Sequence, residues 1–238
     1  MAGPTFSVGE SIAAGWREVT GRLGFWIGVV VVFFAAVIGP DALATLLGQT
    51  GRPLGLVLGI VGILVQALVQ AGMIDLALRA VDGRELRVGL LFGRTDVLLR
   101  YLVASIFFGL AVGIGLIFLL IPGIIVFVLF FFYGHEIVSE DAGIGAALEG
   151  SMDLTKGRRL DIFLLLLLLM VINVVGAMLL LVGLLVTLPL ASVAAAHAYR
   201  SLQALHGRGS EAGAGDVTGP GYGPDQTPGP GYGQGFNQ

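Results

Sequence analysis

The chain lacks cysteine entirely, which excludes disulfide bonds, thiolate nucleophiles and cysteine metal sites. Charged residues are also scarce, at 12% of 238 residues, whereas about a quarter of a soluble domain is charged. The net charge of −3 gives no reason to expect a nucleic-acid partner. We therefore expect one domain surrounded by lipid, with no soluble catalytic domain attached to it.

Apolar residues are abundant, at 56% of the chain with a mean hydropathy of +0.93. Two uncharged apolar runs, 101–134 and 162–196, are 34 and 35 residues long. As a single helix each run would extend about 50 Å, against a hydrocarbon core of about 30 Å. We therefore expect each run to fold back as a helical hairpin, which predicts an all-α polytopic membrane protein.

Six transmembrane helices follow from this pattern. The first begins near Leu23, is expected to be retained instead of cleaved as a signal peptide, and ends or kinks at Pro40. The first long run is expected to turn at Pro122-Gly123, and the second between Gly176 and Gly183. The predicted spans are about 23–39, 54–76, 101–121, 123–138, 162–178 and 181–200.

The basic residues predict an orientation. All but one of the 13 lysines and arginines fall on one side of the six-span arrangement, and the exception is Arg52. Because cytoplasmic loops retain positive charge, we expect a multi-pass protein of the bacterial cytoplasmic membrane with both termini in the cytoplasm. A four-span alternative with two long kinked helices also keeps both termini inside, but it exports Lys156, Arg158 and Arg159. Four aromatic residues are expected to form a belt at the cytoplasmic interface: Trp26, Tyr101, Tyr133 and Tyr199.

Two polar segments carry apolar residues on one helical face, at spacings of three and four residues. They predict interfacial amphipathic helices on the cytoplasmic side, at about 7–21 and 142–157, with Asp141 as the cap of the second. The residues expected to contact the membrane surface are Val8, Ile12, Trp16, Ile144, Leu148 and Met152.

The end of the chain has a different composition. Residues 207–238 are rich in glycine and proline, and a Gly-Pro-Gly-Tyr-Gly motif at 219–223 recurs at 229–233. Such a segment buries too little apolar surface to offset the entropy of ordering. We expect a membrane domain over 1–206 followed by a disordered cytoplasmic tail.

Polar residues within the spans are the candidate functional positions, because polar groups are costly in hydrocarbon. They are Gln66, Gln70, Asp75 and Asn173. Asp75 also precedes Arg79 by four residues, the spacing of an ordinary exposed helix pair. Asn173 is expected to form an interhelical hydrogen bond in preference to binding substrate.

A charged cluster follows the fourth span, and it consists of His135, Glu136, Glu140 and Asp141. It lacks the His-Glu-x-x-His spacing of a metal site and has no matching carboxylates on other predicted helices. We expect a wet interfacial loop there. The sequence predicts no catalytic residues, no metal site and no cofactor.

The segment 121–159 resembles a large bacterial membrane family. It combines a proline-glycine hairpin, an aromatic-rich span, an acidic element at 137–141 and the sequence Gly-Ala-Ala-Leu-Glu-Gly-Ser-Met-Asp-Leu-Thr-Lys-Gly at 145–157. The last part is similar to a signature of the form Ala-Leu-x-x-Ser-x-x-Leu-Thr-x-Gly. The family is related to the membrane domain of glycerophosphoryl diester phosphodiesterase. The resemblance implies a six-helix membrane domain without catalytic residues, because the phosphodiesterase chemistry of fused members belongs to a separate soluble domain.

Two hypotheses for function follow. The first is a non-enzymatic membrane protein that organises lipid or binds other membrane proteins, with membrane lipids, a membrane protein or a second copy of the chain as partners. The alternative is a small transporter of lipid-like or apolar solutes. A transporter needs a polar site within the membrane, so convergence of Gln66, Gln70 and Asn173 on one cavity would favour transport. Their separation would favour the first hypothesis.

Overall fold

The computed structural model describes residues 6–48, 52–118, 120–179 and 183–207, so the expected tail lies outside the described residues except for its first residue. Within these ranges the chain is all-α and contains no strand. The helices are α1 (Val8–Gly21), α2 (Leu23–Leu46), α3 (Pro53–Val81), α4 (Leu98–Phe118), α5 (Leu120–Phe130), α6 (Tyr133–Glu140), α7 (Ile144–Thr155), α8 (Arg159–Met178) and α9 (Leu184–Leu205), with a 3₁₀ turn at Val88–Phe92.

Five of the described segments are long and apolar enough to cross a membrane. They are Leu23–Leu46, Pro53–Val81, Leu98–Ile117, Ile121–Glu140 and Arg159–Met178. The fourth of these joins α5 and α6 across a turn at 131–132. The length and composition of these helices are those of a helical membrane protein. The predicted span at 181–200 is not among the five segments.

The helix α9 packs against several other helices, which agrees with its more polar composition. Its buried residues include Leu190, Val193, Tyr199 and Gln203, and α1, α2, α3 and α8 all pack against it. A helix surrounded by other helices does not face lipid on every side, so polar side chains can be satisfied by neighbouring protein groups.

Each long apolar run consists of two helices packed antiparallel. In the first run, Phe108 of α4 lies 5.7 Å from Phe127 of α5 between ring centroids. Nearer the turn, a Cβ added to Gly115 would lie 2.7 Å from the Cα of Gly123, so glycine lets the two backbones meet. The helix α5 begins at Leu120, so Pro122 lies inside its first turn, and the prediction of a turn at Pro122-Gly123 is wrong.

The second run closes in the same way. A Cβ added to Gly176 of α8 would lie 2.5 Å from Oγ1 of Thr187 on α9. A Cβ added to Gly183 would lie 2.4 Å from the main-chain oxygen of Gly176. The close approach of these two glycines brings α8 and α9 together beside the chain reversal at 180–182, which lies outside the described residues.

The proline in α2 does not end the helix as the sequence predicted. The helix continues through Pro40 to Leu46. Proline removes one backbone hydrogen bond, a loss that membrane helices tolerate where a neighbouring helix packs closely. That neighbour is Gly62 of α3, whose added Cβ would lie 3.1 Å from the Cβ of Pro40.

The helix α1 packs on α9 through small residues. Its buried positions are Ser11, Gly15 and Val19. A Cβ added to Gly15 would lie 2.6 Å from the main-chain oxygen of Leu190, so any larger side chain would push the helices apart. The Ser11 hydroxyl lies 3.3 Å from Nδ1 of His197. This face, one position away from the predicted apolar stripe, attaches α1 to the bundle.

The helix α7 supports the break between α5 and α6. Its Ser151 donates a hydrogen bond to the main-chain oxygen of Leu129 at 2.8 Å and accepts one from the N–H of Phe132 at 3.1 Å. One hydroxyl thus pairs both backbone groups that the break exposes. The cap of α7 is Gly143, so the prediction of Asp141 as its cap is wrong.

Candidate functional site

The candidate polar residues do not meet at one point. Gln66 lies on an exposed face of α3, and Gln70 accepts a hydrogen bond from the Tyr101 hydroxyl at 3.4 Å. Asn173 lies on α8, where its Nδ2 donates to the Leu169 main-chain oxygen one turn earlier at 3.0 Å. Among the described residues Asn173 therefore bonds within its own helix, and the expected interhelical hydrogen bond is not formed.

Asp75 lies in an ion-pair cluster at the end of α3. It is 7% exposed, and its carboxylate accepts from Arg79 Nε at 2.5 Å and from an Arg94 guanidinium nitrogen at 3.4 Å. The Arg79 pair is the expected helix pair, but it is buried instead of exposed. The second arginine ties the segment before α4 to α3, so Asp75 acts as a structural anchor.

A second charged network joins α9 to α3 and α6. The Arg200 guanidinium binds both carboxylate oxygens of Asp82, at 3.0 and 2.8 Å, in the bidentate arrangement that favours arginine. It also donates to Gln203 Oε1 at 2.9 Å. The Gln203 amide in turn donates to Glu140 and to the Tyr199 hydroxyl, both at 2.8 Å. The polar residues of α9 are thus held by neighbouring side chains.

The segment expected to be a wet loop after the fourth span is the helix α6, which buries His135 and Glu136 but leaves Glu140 and the following Asp141 exposed. His135 is 6% exposed and Glu136 is 4% exposed, and both belong to α6. The Glu136 carboxylate lies against α7, where a Cβ added to Gly150 would come within 2.8 Å of it. The His135 ring lies 5.3 Å from the Tyr199 ring between centroids. Within the described ranges no group of three or more His, Asp or Glu side chains is placed to hold a metal ion.

A cavity of about 650 Å³ lies between α4, α5 and α6 on one side and α8 and α9 on the other. This volume lies within the range of about 300 to 1,000 Å³ found for small-molecule sites. Aromatic rings form one wall, and aliphatic residues of α8 with small residues of α9 form the other. Its aromatic lining residues are Tyr101, Phe108, Phe127, Phe131, Tyr133 and Phe163.

Close packing at Gly134 shapes the aromatic wall. A Cβ added there would lie 2.9 Å from the Ile74 side chain and 3.0 Å from the Tyr101 ring, so glycine lets α6 approach both residues. The Tyr101 and Tyr133 rings stack with centroids 6.0 Å apart, and Phe108 lies 5.0 Å from Tyr133. These tyrosines, with Trp26 and Tyr199, are buried in the bundle, so the prediction of an interfacial belt is wrong for all four.

Hydrogen bonds orient the tyrosine hydroxyls at this end of the cavity. The Ser105 hydroxyl donates to the Tyr101 main-chain oxygen at 2.7 Å and lies 2.9 Å from the Tyr133 hydroxyl. Because Ser105 has one proton, which its carbonyl bond uses, Tyr133 is the donor of the second bond.

Two polar atoms of the cavity-lining residues have no partner in the described part of the chain. They are Nδ1 of His135 and Oδ1 of Asn173. The sequence predicts Asn173 as a candidate position but places His135 in a loop. The signal that could have indicated the cavity is the aromatic-rich fourth span, which supplies several of its lining rings.

The predicted surface contacts divide into two groups. Val8, Ile12, Ile144 and Leu148 are partly buried and pack against the core. Trp16 and Met152 are exposed. Only these two present a large apolar side chain outward from the two short helices at positions that the stripes predicted.

The family model described as Domain of unknown function (DUF7847) matches residues 88–207. The match contains α4 to α9 and therefore every helix that lines the cavity, apart from the contribution of Ile74 in α3. No curated protein and no solved structure matches the chain.

Proposed function

Since the chain belongs to the DUF7847 family, of unknown function, we propose from its structure that it is a non-enzymatic membrane protein that binds lipid. The ligand site of this proposal is the cavity between α4–α6 and α8–α9. The observation that carries the proposal is a volume of about 650 Å³ lined by aromatic and aliphatic side chains in helices of membrane-spanning length.

The shape of the cavity favours a long chain over a compact solute. Its lining residues on α8 extend from Phe163 to Asn173, a distance of about 15 Å at the rise of an α-helix. A flexible apolar chain that lies in this volume makes dispersion contacts with its walls along the whole length. A lipid chain is the molecule that the surrounding membrane supplies in quantity, and it makes those contacts.

The membrane arrangement in this proposal has six spans, with α9 as the sixth. Its antiparallel packing on α8 supports this, because the last helix then returns to the side where α8 begins. Both termini then lie in the cytoplasm of a bacterial cell, since the arginine-rich ends of the helices face one side. The short helices α1 and α7 lie at that surface, with Trp16 and Met152 directed to lipid.

The transport alternative has less support. Its condition was a shared cavity for three polar residues, but only Asn173 lines the cavity, whereas Gln70 lies behind Tyr101 and Gln66 is exposed elsewhere. The resemblance of segment 121–159 to the phosphodiesterase-related membrane domain agrees with the lipid proposal, because that resemblance implies no catalytic residues.

The test is lipid retained by the full chain after mild detergent extraction, measured by native mass spectrometry. The substitution Ala191→Phe adds a ring at the cavity wall, and we expect it to lower the occupancy of retained lipid at least fivefold. The matched control is Ala177→Phe, the same change at an exposed position of α8. Equal retention by wild type, A191F and A177F would refute binding in the cavity, as would a wild-type chain that retains no lipid.

A further inference from the structure

The cavity is not enclosed, because it opens partly to the outside of the bundle. Its lining residues with the largest exposed fractions are Phe127 of α5 and Leu167 and Met170 of α8, and Met170 is 59% exposed. All three belong to segments of membrane-spanning length, where the molecules outside are lipid chains. A chain can therefore enter between α5 and α8 while the rest of its lipid remains outside the cavity.

One face of α8 continues from the cavity to the start of the helix. Successive residues of an α-helix are turned by about 100°, so Phe163, Leu166, Met170 and Asn173 all lie within about 40° of Arg159 around the axis. Arg159 is exposed and lies one turn, about 6 Å, before Phe163. Side chains of a helix lean toward its N-terminus, so Arg159 carries its charge at the end of this face, beyond the cavity.

Two cations at this end of α8 have no carboxylate partner. In the described part of the chain neither Lys156 nor Arg159 forms an ion pair, and both are exposed, whereas Arg158 between them is paired with Asp161 at 3.7 Å. Most other arginines on the predicted cytoplasmic side are bound by carboxylates, and these are Arg22, Arg79, Arg84, Arg87, Arg94, Arg100 and Arg200. Lys156 and Arg159 are therefore available to an external anion.

The neighbours of these cations favour the phosphate of a lipid as that anion. Leu160, directly after Arg159, is 69% exposed, and Met152 of α7 is also exposed. Cations beside exposed apolar side chains match a phospholipid, in which an anionic phosphate adjoins the acyl chains. The described residues that line the cavity include no charged side chain, so the phosphate must stay at the cations while the chain enters.

We infer that the lipid held in the cavity is an anionic phospholipid, whose phosphate binds Arg159 and Lys156 while one acyl chain enters between α5 and α8. The inference rests on the proposed function, because it presumes that a lipid chain occupies the cavity. It adds the chemical class of the lipid, the site of its headgroup and the route of its chain.

The first experiment compares two lipids with the same chains but different headgroup charge, dioleoylphosphatidylglycerol and dioleoylphosphatidylcholine. The purified full chain is placed in nanodiscs that contain both lipids at equal mole fraction, and retained lipid is measured by native mass spectrometry. We expect the anionic lipid to exceed the zwitterionic lipid at least fivefold, the factor that corresponds to about 1 kcal/mol for one basic residue near an anionic lipid. This comparison needs no variant, so it decides the inference even if a variant fails to fold.

Variants identify the groups that select the headgroup. Arg159→Gln and Lys156→Gln together should reduce the preference to less than twofold and leave the phosphatidylcholine occupancy unchanged, because the chain contacts remain. The matched control is Arg52→Gln, the same change at an exposed arginine before α3 that also has no ion pair within the described ranges. It should leave the preference unchanged.

A double variant tests whether one molecule contacts both places. Arg159→Gln alone should lower phosphatidylglycerol occupancy about fivefold. In a chain that already carries Ala191→Phe, which fills the cavity, the same change should alter the remaining occupancy less than twofold. Two changes that act on one bound molecule are coupled, whereas changes at independent sites add.

The outcomes separate this inference from the proposed function. If the wild type retains neither lipid, or if A191F lowers neither, the proposed function fails and this inference with it. If both lipids are retained equally, or if R52Q lowers the preference as much as R159Q with K156Q, lipid binding stands and the headgroup inference is overturned. An equal effect of R159Q with and without A191F would also overturn it, because cations and cavity would then bind different molecules.

Discussion

Replacement of Asp75 by alanine tests whether this carboxylate is an anchor or a functional group. The carboxylate is 7% exposed and holds two arginines, one on its own helix and one nineteen positions later. In the variant, Arg79 and Arg94 face each other at the end of α3 without the charge that joins them. The segment between α3 and α4 then loses its ionic attachment to Asp75 of α3.

The expected loss follows from burial. Removing one partner of a buried ion pair costs about 3 to 5 kcal/mol. The side chains of Arg79 and Arg94 are 33% and 20% exposed, so both can regain some hydration when the carboxylate is gone. We therefore expect a loss of about 2 to 3 kcal/mol, below that range.

The control is Asp96→Ala, which removes the other carboxylate that contacts Arg94, at 3.1 Å. The side chain of Asp96 is 57% exposed, so we expect a loss below about 1 kcal/mol. Thermal unfolding of the purified chain in one detergent compares the variants, and a difference of about 5 to 10 °C is expected if soluble domains of this size are a guide.

Two results would refute this reasoning. Equal unfolding temperatures for D75A and D96A would show that burial does not set the value of the pair. Wild-type stability in D75A combined with loss of retained lipid would place Asp75 in the function instead of the scaffold.

Two further predictions concern packing and topology. Gly72→Ala should destabilise the bundle by about 1 to 3 kcal/mol, because the added Cβ would overlap the backbone of Leu91. The control Gly59→Ala should have little effect, because the space around Gly59 is open. Equal unfolding temperatures for the two variants would contradict this prediction. The chain has no cysteine, so single cysteines at Pro122 and Glu149 can be labelled without background in intact cells. A membrane-impermeant maleimide should label the first and not the second, and the reverse pattern would overturn the six-span arrangement.

The sequence was sufficient to predict most helices because hydrocarbon thickness limits the length of an apolar segment. The reversal of both long runs follows from that limit, and the glycines at 115, 123, 176 and 183 explain where the backbones meet. The precise bend in the first run was missed. Pro122 is common in turns, but it is equally suited to the first turn of a helix, and it lies there in α5.

The attachment of α1 could not be read from its apolar stripe. Hydrophobic periodicity marks a face that avoids water, but lipid and protein both satisfy that requirement. In a membrane protein the close contact is made by small residues, and Ser11 and Gly15 lie against α9 while Trp16 remains outward. The stripe thus predicts the partly buried Val8 and Ile12 but not the small residues that make the closest contact with α9.

The burial of the polar cluster was missed for a related reason. His135 and Glu136 follow an apolar run, and a charged pair at that position is usually at the water interface. The burial depends on partners that lie distant in sequence, namely Tyr199 beside the histidine and Gly150 beside the carboxylate. Neither Tyr199 nor Gly150 lies in a sequence pattern that predicts its contact with α6.

The position of His135 connects the charged network with the cavity. Its ring contacts Tyr199, and the next residue, Arg200, is fixed by its bidentate pair with Asp82. On the other side the same ring lines the cavity. The charged layer therefore ends where the apolar volume begins, and His135 is the polar group at that boundary. A lipid chain that lies along α8 would therefore begin at this boundary and extend into the apolar part of the cavity, away from the charged side chains.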